Sequence, residues 1–335
     1  MAWDIAGIGN ALMDALVTIP DDAELAELGL TKGTMHLVDH ARWQQVYERV
    51  RSNGVTFDSG GSCANTVATA GRLGCRALYC GRVGDDQMGR LYASKMERAT
   101  GHHALQFTTE AATGKCLSII SASDAERTML TDLGAAVGLL DLGSFRDALA
   151  NTKIAHFTGY TFLPGPMQPV LLDAMKFARD NGAIVSLDAA DPFVVDTIRD
   201  LFWEMLQNYT NLVFLNEEEA QHLTGLPAEE AIDAIAERAK VDTVVVKLGK
   251  RGSLVLANGQ KVRIPVHLVE AKDTTGAGDA YAGGFLAGLS RGWDVERCGR
   301  LASHVAAITV GQVGATVKDA TILGEALRTS AKLTA

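Results

Sequence analysis

Short apolar runs alternate along this chain with longer amphipathic stretches. Ile5–Gly9, Ala77–Val83, Ile154–Thr158, Ile184–Asp188, Leu212–Leu215 and Thr243–Leu248 are apolar on both alternations, which predicts strands buried on two faces. Between several of them, Met88–Ala99, Met167–Asn181, Thr197–Asn208 and Glu229–Ala239 carry apolar residues at helical spacing. Alternation of this kind predicts a parallel sheet covered by helices on both sides. Two segments depart from it. Ala11–Ile19 places Leu12, Asp14, Leu16 and Thr18 on one side and Met13, Ala15, Val17 and Ile19 on the other. Thr113–Ser121 and Glu126–Thr131 read as a hairpin around Ser123-Asp124-Ala125. Neither has a crossover helix. Both are expected in a small β-rich lid, formed approximately by 11–38 and 104–131, within a single domain spanning 1–335.

Open α/β sheets bind ligands at the carboxyl ends of their strands. Asn10, Asp188, Asn216 and the turn Lys247-Leu248-Gly249 each follow an apolar run, so one crevice is expected to collect them.

Composition narrows the classes. With 335 residues, 47% of them hydrophobic, the chain can bury a large core. Its 31 Lys+Arg against 40 Asp+Glu give a net charge of −9 with no long basic run, which argues against a nucleic-acid or anionic-membrane surface. The five cysteines, Cys63, Cys75, Cys80, Cys116 and Cys298, are odd in number and form no Cys-x-x-Cys pair. A disulfide framework or structural zinc site is therefore not expected, and a reducing cytoplasm is. Met1-Ala2-Trp3-Asp4 lacks the regions of a signal peptide, and no apolar run approaches a membrane span.

The chemistry concentrates near the end. Asp273-Thr274-Thr275-Gly276-Ala277-Gly278-Asp279-Ala280 runs into Tyr281-Ala282-Gly283-Gly284-Phe285-Leu286, a loop opening a helix with an acid in its first turn. Unpaired N–H groups and the helix dipole make such an end attractive to anions. Gly276 and Gly278 let backbone come close to a bound oxyanion. Asp279 cannot neutralise a phosphate there, but it can take a proton from a hydroxyl that attacks one. An Asp-capped, tightly packed helix fits the same residues, and sheet packing would account for Gly283 and Gly284. It would leave Gly276 and Gly278 unexplained.

Three further clusters each carry two readings. In Ser59-Gly60-Gly61-Ser62-Cys63-Ala64-Asn65, Ser62 is placed to cap a helix and Asn65 to contact ligand hydroxyls; an ordinary capped helix ending at Gly74 fits too. Asn10 and Asp14 suit a vicinal diol, or else a turn and a lid surface. Asn216 and Glu219 can orient a magnesium ion through its waters, or simply complement a helix dipole. Gly7-Ile8-Gly9 begins like a dinucleotide fingerprint, but the third glycine is absent and a strand-like segment follows, which excludes the dehydrogenase reading.

Together these residues resemble the ribokinase-like (PfkB) family of carbohydrate and nucleoside kinases, whose two signatures match Gly60-Gly61 through Gly74 and Asp273 through Gly288. The resemblance runs from Asn10 to Gly314. It implies a ribokinase-like three-layer α/β/α sandwich with a mostly parallel central sheet and a β-sheet lid. It implies that Asp279 is the catalytic base, that the amides of Gly276, Ala277 and Gly278 form an anion hole, and that ATP and Mg²⁺ are used. Asn216 and Glu219 match the family's Asn-x-x-Glu motif, with Glu219 reaching the magnesium through water. Lys247, Gly249 and Gly252 resemble the segment beside ATP. Asp273 and Thr275, with the turn near Gly311–Gly314, resemble a monovalent-cation (K⁺) site.

For the acceptor, Asn10-Ala11-Leu12-Met13-Asp14 has the Asn-x-x-x-Asp spacing of the family's adenosine kinases, and Gly61-Ser62-Cys63-Ala64-Asn65 is similar to their ribose-holding segment, with Gly60 beside it. Arg127 sits in the lid where they carry an arginine near the reacting phosphate, and the resemblance implies that it helps offset charge on the phosphoryl group as a catalytic residue. Phe162, Phe193, Met35 and Phe107 are candidates to hold a purine, each equally suited to packing. The resemblance implies phosphoryl transfer to the 5′-hydroxyl of a ribonucleoside, adenosine first, with Asp14, Asn65 and Asn10 on the ribose; a kinase for free ribose or a ketohexose is the alternative. A non-catalytic nucleotide-binding relative is disfavoured by the intact Gly276-Ala277-Gly278-Asp279. Either a monomer or a homodimer fits.

Overall fold

A computed structural model describes residues 2–332 apart from Ala125; that residue, at the end of the expected turn Ser123-Asp124-Ala125, and Met1 lie outside the described residues. Eight strands form the central sheet, in the order Gln260–Ile264, Ser253–Ala257, Thr243–Lys247, Leu212–Asn216, Ile184–Asp188, Thr152–Thr158, Trp3–Ile8, Ala77–Cys80. Thr243–Lys247 and everything beyond it toward Ala77–Cys80 pair in parallel, while the two strands at the other edge run antiparallel. Side-chain alternation sends Val213 and Leu215 into one core and Phe214 into the other, and likewise Val244 and Val246 against Val245. Both faces are dry, so the strands read as continuous apolar runs rather than alternating ones.

One core packs against helices that include Gln168–Asp180, Arg199–Asn208 and Ala228–Ala239. The other packs against Ser62–Arg72, Ala277–Leu289 and Val295–Val310. Ala277–Leu289 lies between its two neighbours, and its glycines make that possible. A Cβ on Gly283 would sit 2.8 Å from the Thr66 carbonyl oxygen, and one on Gly284 would sit 2.9 Å from the Ala302 Cα. Close approach to Ser62–Arg72 is what brings the acid at 279 beside Ser62 and Asn65.

The smaller sheet has five strands, in the order Met35–Leu37, Arg127–Asp132, Gly114–Ser121, Leu12–Ile19, Val55–Gly60. Ala15, Val17 and Ile19 pack with Leu117, Ile119 and Leu130 against Trp43, Val46 and Val50 of helix His40–Val50. Asp14 and Leu16 point the opposite way, as the alternation of Ala11–Ile19 predicts.

Three boundaries differ from the sequence expectation. Val55–Gly60 joins the smaller sheet although it lies outside both 11–38 and 104–131. Gln106–Thr108, inside the second range, pairs instead with Arg82–Gly84 in a separate two-stranded sheet. Ala77–Val83 is not one strand: the chain leaves the central sheet at Gly81, where a Cβ would lie 2.9 Å from the Gly9 carbonyl oxygen. All five cysteines are free and buried. Among the described residues, no helix is long and apolar enough to cross a membrane.

Candidate active site

Strand ends and the start of helix Ala277–Leu289 meet in one crevice. The turn into that helix needs Gly276, whose φ is +72° and whose added Cβ would stand 2.4 Å from the Ala315 carbonyl oxygen. Ala277 N–H donates to the Thr274 carbonyl (3.2 Å), while no acceptor among the described residues lies against the N–H groups of Gly276 and Gly278. The three amides are therefore not equivalent, because the one at Ala277 is spent on closing the turn. Lys247 Nζ lies 3.2 Å from the position of a Gly278 Cβ, at the same helix end. Asp188 Oδ2 holds that ammonium at 2.9 Å. Burial works to lower the Lys247 pKa, but Asp188 and Glu219 outweigh it and raise it, so the cation stays charged.

Asp279 sits in the first turn with both carboxylate oxygens engaged. Ser62 Oγ donates to Oδ1 at 2.7 Å and Asn65 Nδ2 to Oδ2 at 2.9 Å, and Thr66 Oγ1 donates to the Asp279 carbonyl at 3.2 Å. Ser62 is thus not the helix cap. Gly61 occupies that position with φ +93°, and Ser62 is the first helical residue, turned toward Asp279 instead of its own helix. Burial raises the Asp279 pKa to about 6, against the downward pull of Ser62 and Asn65. It is ionised near neutrality, yet closer to a hydroxyl's demand for a proton acceptor than an exposed aspartate is.

The other wall of the crevice comes from the smaller sheet. Asp14, Leu16, Asp58, Ser118, Arg127 and Met129 line a cavity completed by Thr275, Gly314 and Ala315. Asp14 lies directly across from Asp58 in the strand register. Its carboxylate fills the space where Gly60 has no side chain: a Cβ there would lie 2.2 Å from Oδ2. Burial, then the neighbouring Asp58, push the Asp14 pKa up to about 7, while Arg127 pulls it down. Two acceptors in this region have no partner. Asn10 Oδ1 and Asn65 Oδ1 are buried without a hydrogen bond. An unmade buried hydrogen bond costs about 1–3 kcal/mol, so the site suits a ligand that brings hydroxyl donors.

Asn216 and Glu219 make a capping box that opens helix Glu217–Thr224. Glu219 N–H donates to Asn216 Oδ1 at 2.7 Å, and the Glu219 carboxylate accepts from Asn216 N–H at 2.7 Å and from Nδ2 at 2.8 Å. Burial raises the Glu219 pKa, with Lys247 opposing. Asp188, Glu219 and Asp279 therefore place three carboxylates around one ammonium. That negative excess fits a divalent cation shared with phosphates and held through water. It does not make a direct cage, and no cluster of three metal-ligating side chains occurs among the described residues. Gly249 and Gly252 lie in the turn that leaves Lys247 and enters Ser253–Ala257.

Asp273, expected at a monovalent-cation site, has its own donors. Its carboxylate accepts from Arg127, from Thr275 N–H at 2.9 Å and from Gly314 N–H at 2.8 Å. One of these donors is a guanidinium, whose positive charge already sits at Oδ2, so a monovalent cation at this carboxylate would meet like-charge repulsion. Among the candidates for a purine, Phe162 is wholly buried against Phe157 and unavailable to a ligand. Phe193, Met35 and Phe107 are exposed. Two site residues escaped the sequence reading. Asp58 is ion-paired to Lys95 and Lys318, each at 3.3 Å. Tyr160 donates to Asp191 at 3.3 Å and feels the charges of Asp279 and Glu219. Its place two residues past the apolar run Ile154–Thr158 is the signal that marks it, by the rule that ligand-facing residues gather at strand ends.

Residues 28–321 match the pfkB family of carbohydrate kinases. The chain is 28% identical over 334 residues to the adenosine kinase of Saccharomyces cerevisiae, covering 94% of this chain and 96% of that protein. It superimposes on the crystal structure of adenosine kinase from Sinorhizobium meliloti with a TM-score of 0.89, at 32% identity over 98% of this chain and all of that one. A probable sugar kinase from Rhizobium etli gives the same TM-score at 31% identity, covering 99% of each chain. Family, ribokinase-like fold and the aspartate at the glycine-rich helix start agree: the chain belongs to the pfkB family of carbohydrate kinases, and it is a phosphotransferase with an alcohol group as acceptor.

Proposed function

We propose that this enzyme transfers the γ-phosphoryl group of ATP to the 5′-hydroxyl of a ribonucleoside, with adenosine as the acceptor. The observation that carries this reading is the set of hydroxyl-seeking acceptors beside the base. Asn10 Oδ1 and Asn65 Oδ1 are buried and unpaired, and the Asp14 carboxylate lines the cavity beneath the smaller sheet. A ribose offers a vicinal diol to such a set. Adenosine kinases among the relatives support the nucleoside over a free sugar.

In this reading Asp279 accepts the 5′-hydroxyl proton as the O5′–Pγ bond forms and the bond from Pγ to the β-phosphate oxygen breaks, releasing ADP. Gly276 and Gly278 N–H groups and Lys247 face the charge on the transferring group. Asn216 and Glu219 would hold a magnesium ion through water, and that ion supplies charge neutralisation on the nucleotide phosphates. The smaller sheet acts as a lid that carries Asp14 and Arg127 over the acceptor and excludes water.

A second reading keeps the phosphate end and replaces the nucleoside with free ribose or a ketohexose; the likeness to a probable sugar kinase favours it. ATP-dependent phosphorylation of adenosine, inosine, guanosine, cytidine, ribose and fructose separates the two, with Asp279→Ala as the blank. Preference for adenosine supports the proposal. Turnover of ribose or fructose with no nucleoside turned over overturns it.

A further inference from the structure

Asp273 opens the loop that carries Gly276 and Gly278, and its surroundings assign it a partner. Arg127, on the smaller-sheet strand Arg127–Asp132, pairs with Oδ2, the oxygen that also accepts from Gly314 N–H. Thr275 N–H takes Oδ1. The arginine side chain is 16% exposed and the aspartate 5%, so the pair is screened from water. Charges interact several-fold more strongly there than in bulk solvent. Of the three donors to this carboxylate, Arg127 carries a full positive charge. A further cation beside Asp273 would face like-charge repulsion from the guanidinium.

We infer that Arg127 is the resident counter-ion of Asp273, taking the place that the family resemblance gives to a monovalent cation, and that the enzyme needs no added K⁺. One guanidinium then serves three parts of the site. It fixes the loop of the anion hole through Asp273, it ties that loop to the smaller sheet, and it acts on Asp14 across the acceptor cavity. Removing its charge leaves a buried carboxylate with two amide donors and an uncompensated negative charge, which is where a monovalent cation gains most.

The test compares K⁺ with choline at a constant ionic strength of about 0.15 M, where screening is equal. Two readouts are taken on the whole protein: the thermal unfolding midpoint and the initial rate of phosphoryl transfer. The midpoint needs no acceptor, so it decides the inference even if the proposed nucleoside is wrong. Wild type is expected to show the same midpoint and a rate within about twofold in the two salts, since a ligand shifts stability only where it binds the folded state. Arg127→Met is expected to gain a saturable midpoint rise specific to K⁺, with its residual rate rising in parallel. A saturable K⁺-specific rise in the wild-type midpoint or rate would overturn the inference. So would an Arg127→Met protein indifferent to K⁺. If that variant does not fold, the wild-type comparison alone decides.

Discussion

The two ends of the crevice are built in opposite ways. The proposed phosphate end is nearly contiguous in sequence: Asp273 to Asp279 supply the loop, the helix start and the proposed base, and Lys247 is held at a strand end by Asp188. The proposed acceptor end is assembled from separated segments: Asp14, Asp58, Gly60 and Arg127 from strands of the smaller sheet, Asn10 from the loop before Leu12–Ile19, and Asn65 from helix Ser62–Arg72. The phosphate end rests on main-chain geometry that a few glycines determine, and so the class of reaction is fixed locally. The acceptor end rests on side chains of a two-faced sheet, where one substitution changes what fits.

The largest effect is expected at the base. Asp279→Asn removes the proton acceptor while keeping both hydrogen-bonding positions, and kcat should fall about 10³-fold or more with nucleotide affinity little changed. Steady-state kinetics and nucleotide binding measured together check this. Next comes the acceptor end. Asp14→Asn should lower kcat/KM for the acceptor by about 10²-fold, since hydrogen bonds to a charged group contribute about 1.5–3 kcal/mol each, and leave the KM for ATP nearly unchanged. If the ATP KM rises equally, the two ends are not separable in the way described.

Protonation sharpens the comparison. As the proposed base, Asp279 must be ionised to act, and burial raises its pKa to about 6, so the rate should fall roughly tenfold per pH unit below that value. Ser62 donates to the ionised form and so lowers that pKa. Ser62→Ala should move the acidic limb upward, with a smaller loss of rate at alkaline pH. At the acceptor end the consequence is for stability. The folded-state pKa of Asp14 is about 7 against 3.8 as reference, so the folded protein binds this proton more tightly. The associated stability is fully present below about pH 4 and is lost as pH rises toward 7. Asp14→Asn should therefore stabilise the protein at pH 8, by an amount on the order of a few kcal/mol, while weakening acceptor use. Urea unfolding of both proteins at acidic and alkaline pH tests the sign. Gly60→Ala should give a selective change, raising the acceptor KM and leaving the ATP KM alone, because the new methyl group displaces the Asp14 carboxylate.

The same contrast explains what could be read from the sequence. The buried strands were legible because both faces of a parallel sheet are apolar, and Leu212–Asn216 and Thr243–Lys247 fall within a residue of their expected ends. The helix carrying Asp279 was legible from Gly276 and Gly278. Val55–Gly60 was not, because Thr56, Asp58 and Ser59 face polar surroundings and leave a weak alternation. Ser62 looked like a cap because caps and ligand-facing hydroxyls use the same residue types; only the approach of Ala277–Leu289 turns it toward Asp279. Glu219 hid a structural role inside a functional motif, since the capping box and the Asn-x-x-Glu spacing coincide. The resemblance gave Asp273 a cation site, and its side-chain partner could not be read from sequence. Its partner Arg127 is 146 positions away and reaches it only through the smaller sheet.

The measurement that tests the central claim most directly is a cycle of substrate against mutant. It compares kcat/KM for adenosine and 2′-deoxyadenosine in wild type and in Asp14→Asn. If Asp14 reads the ribose diol, wild type should favour adenosine by about 10²-fold, and the preference should collapse to near unity in the variant. A preference that survives in Asp14→Asn unchanged would contradict the assignment of this carboxylate to the acceptor, and with it the account of the smaller sheet as the part that chooses the substrate.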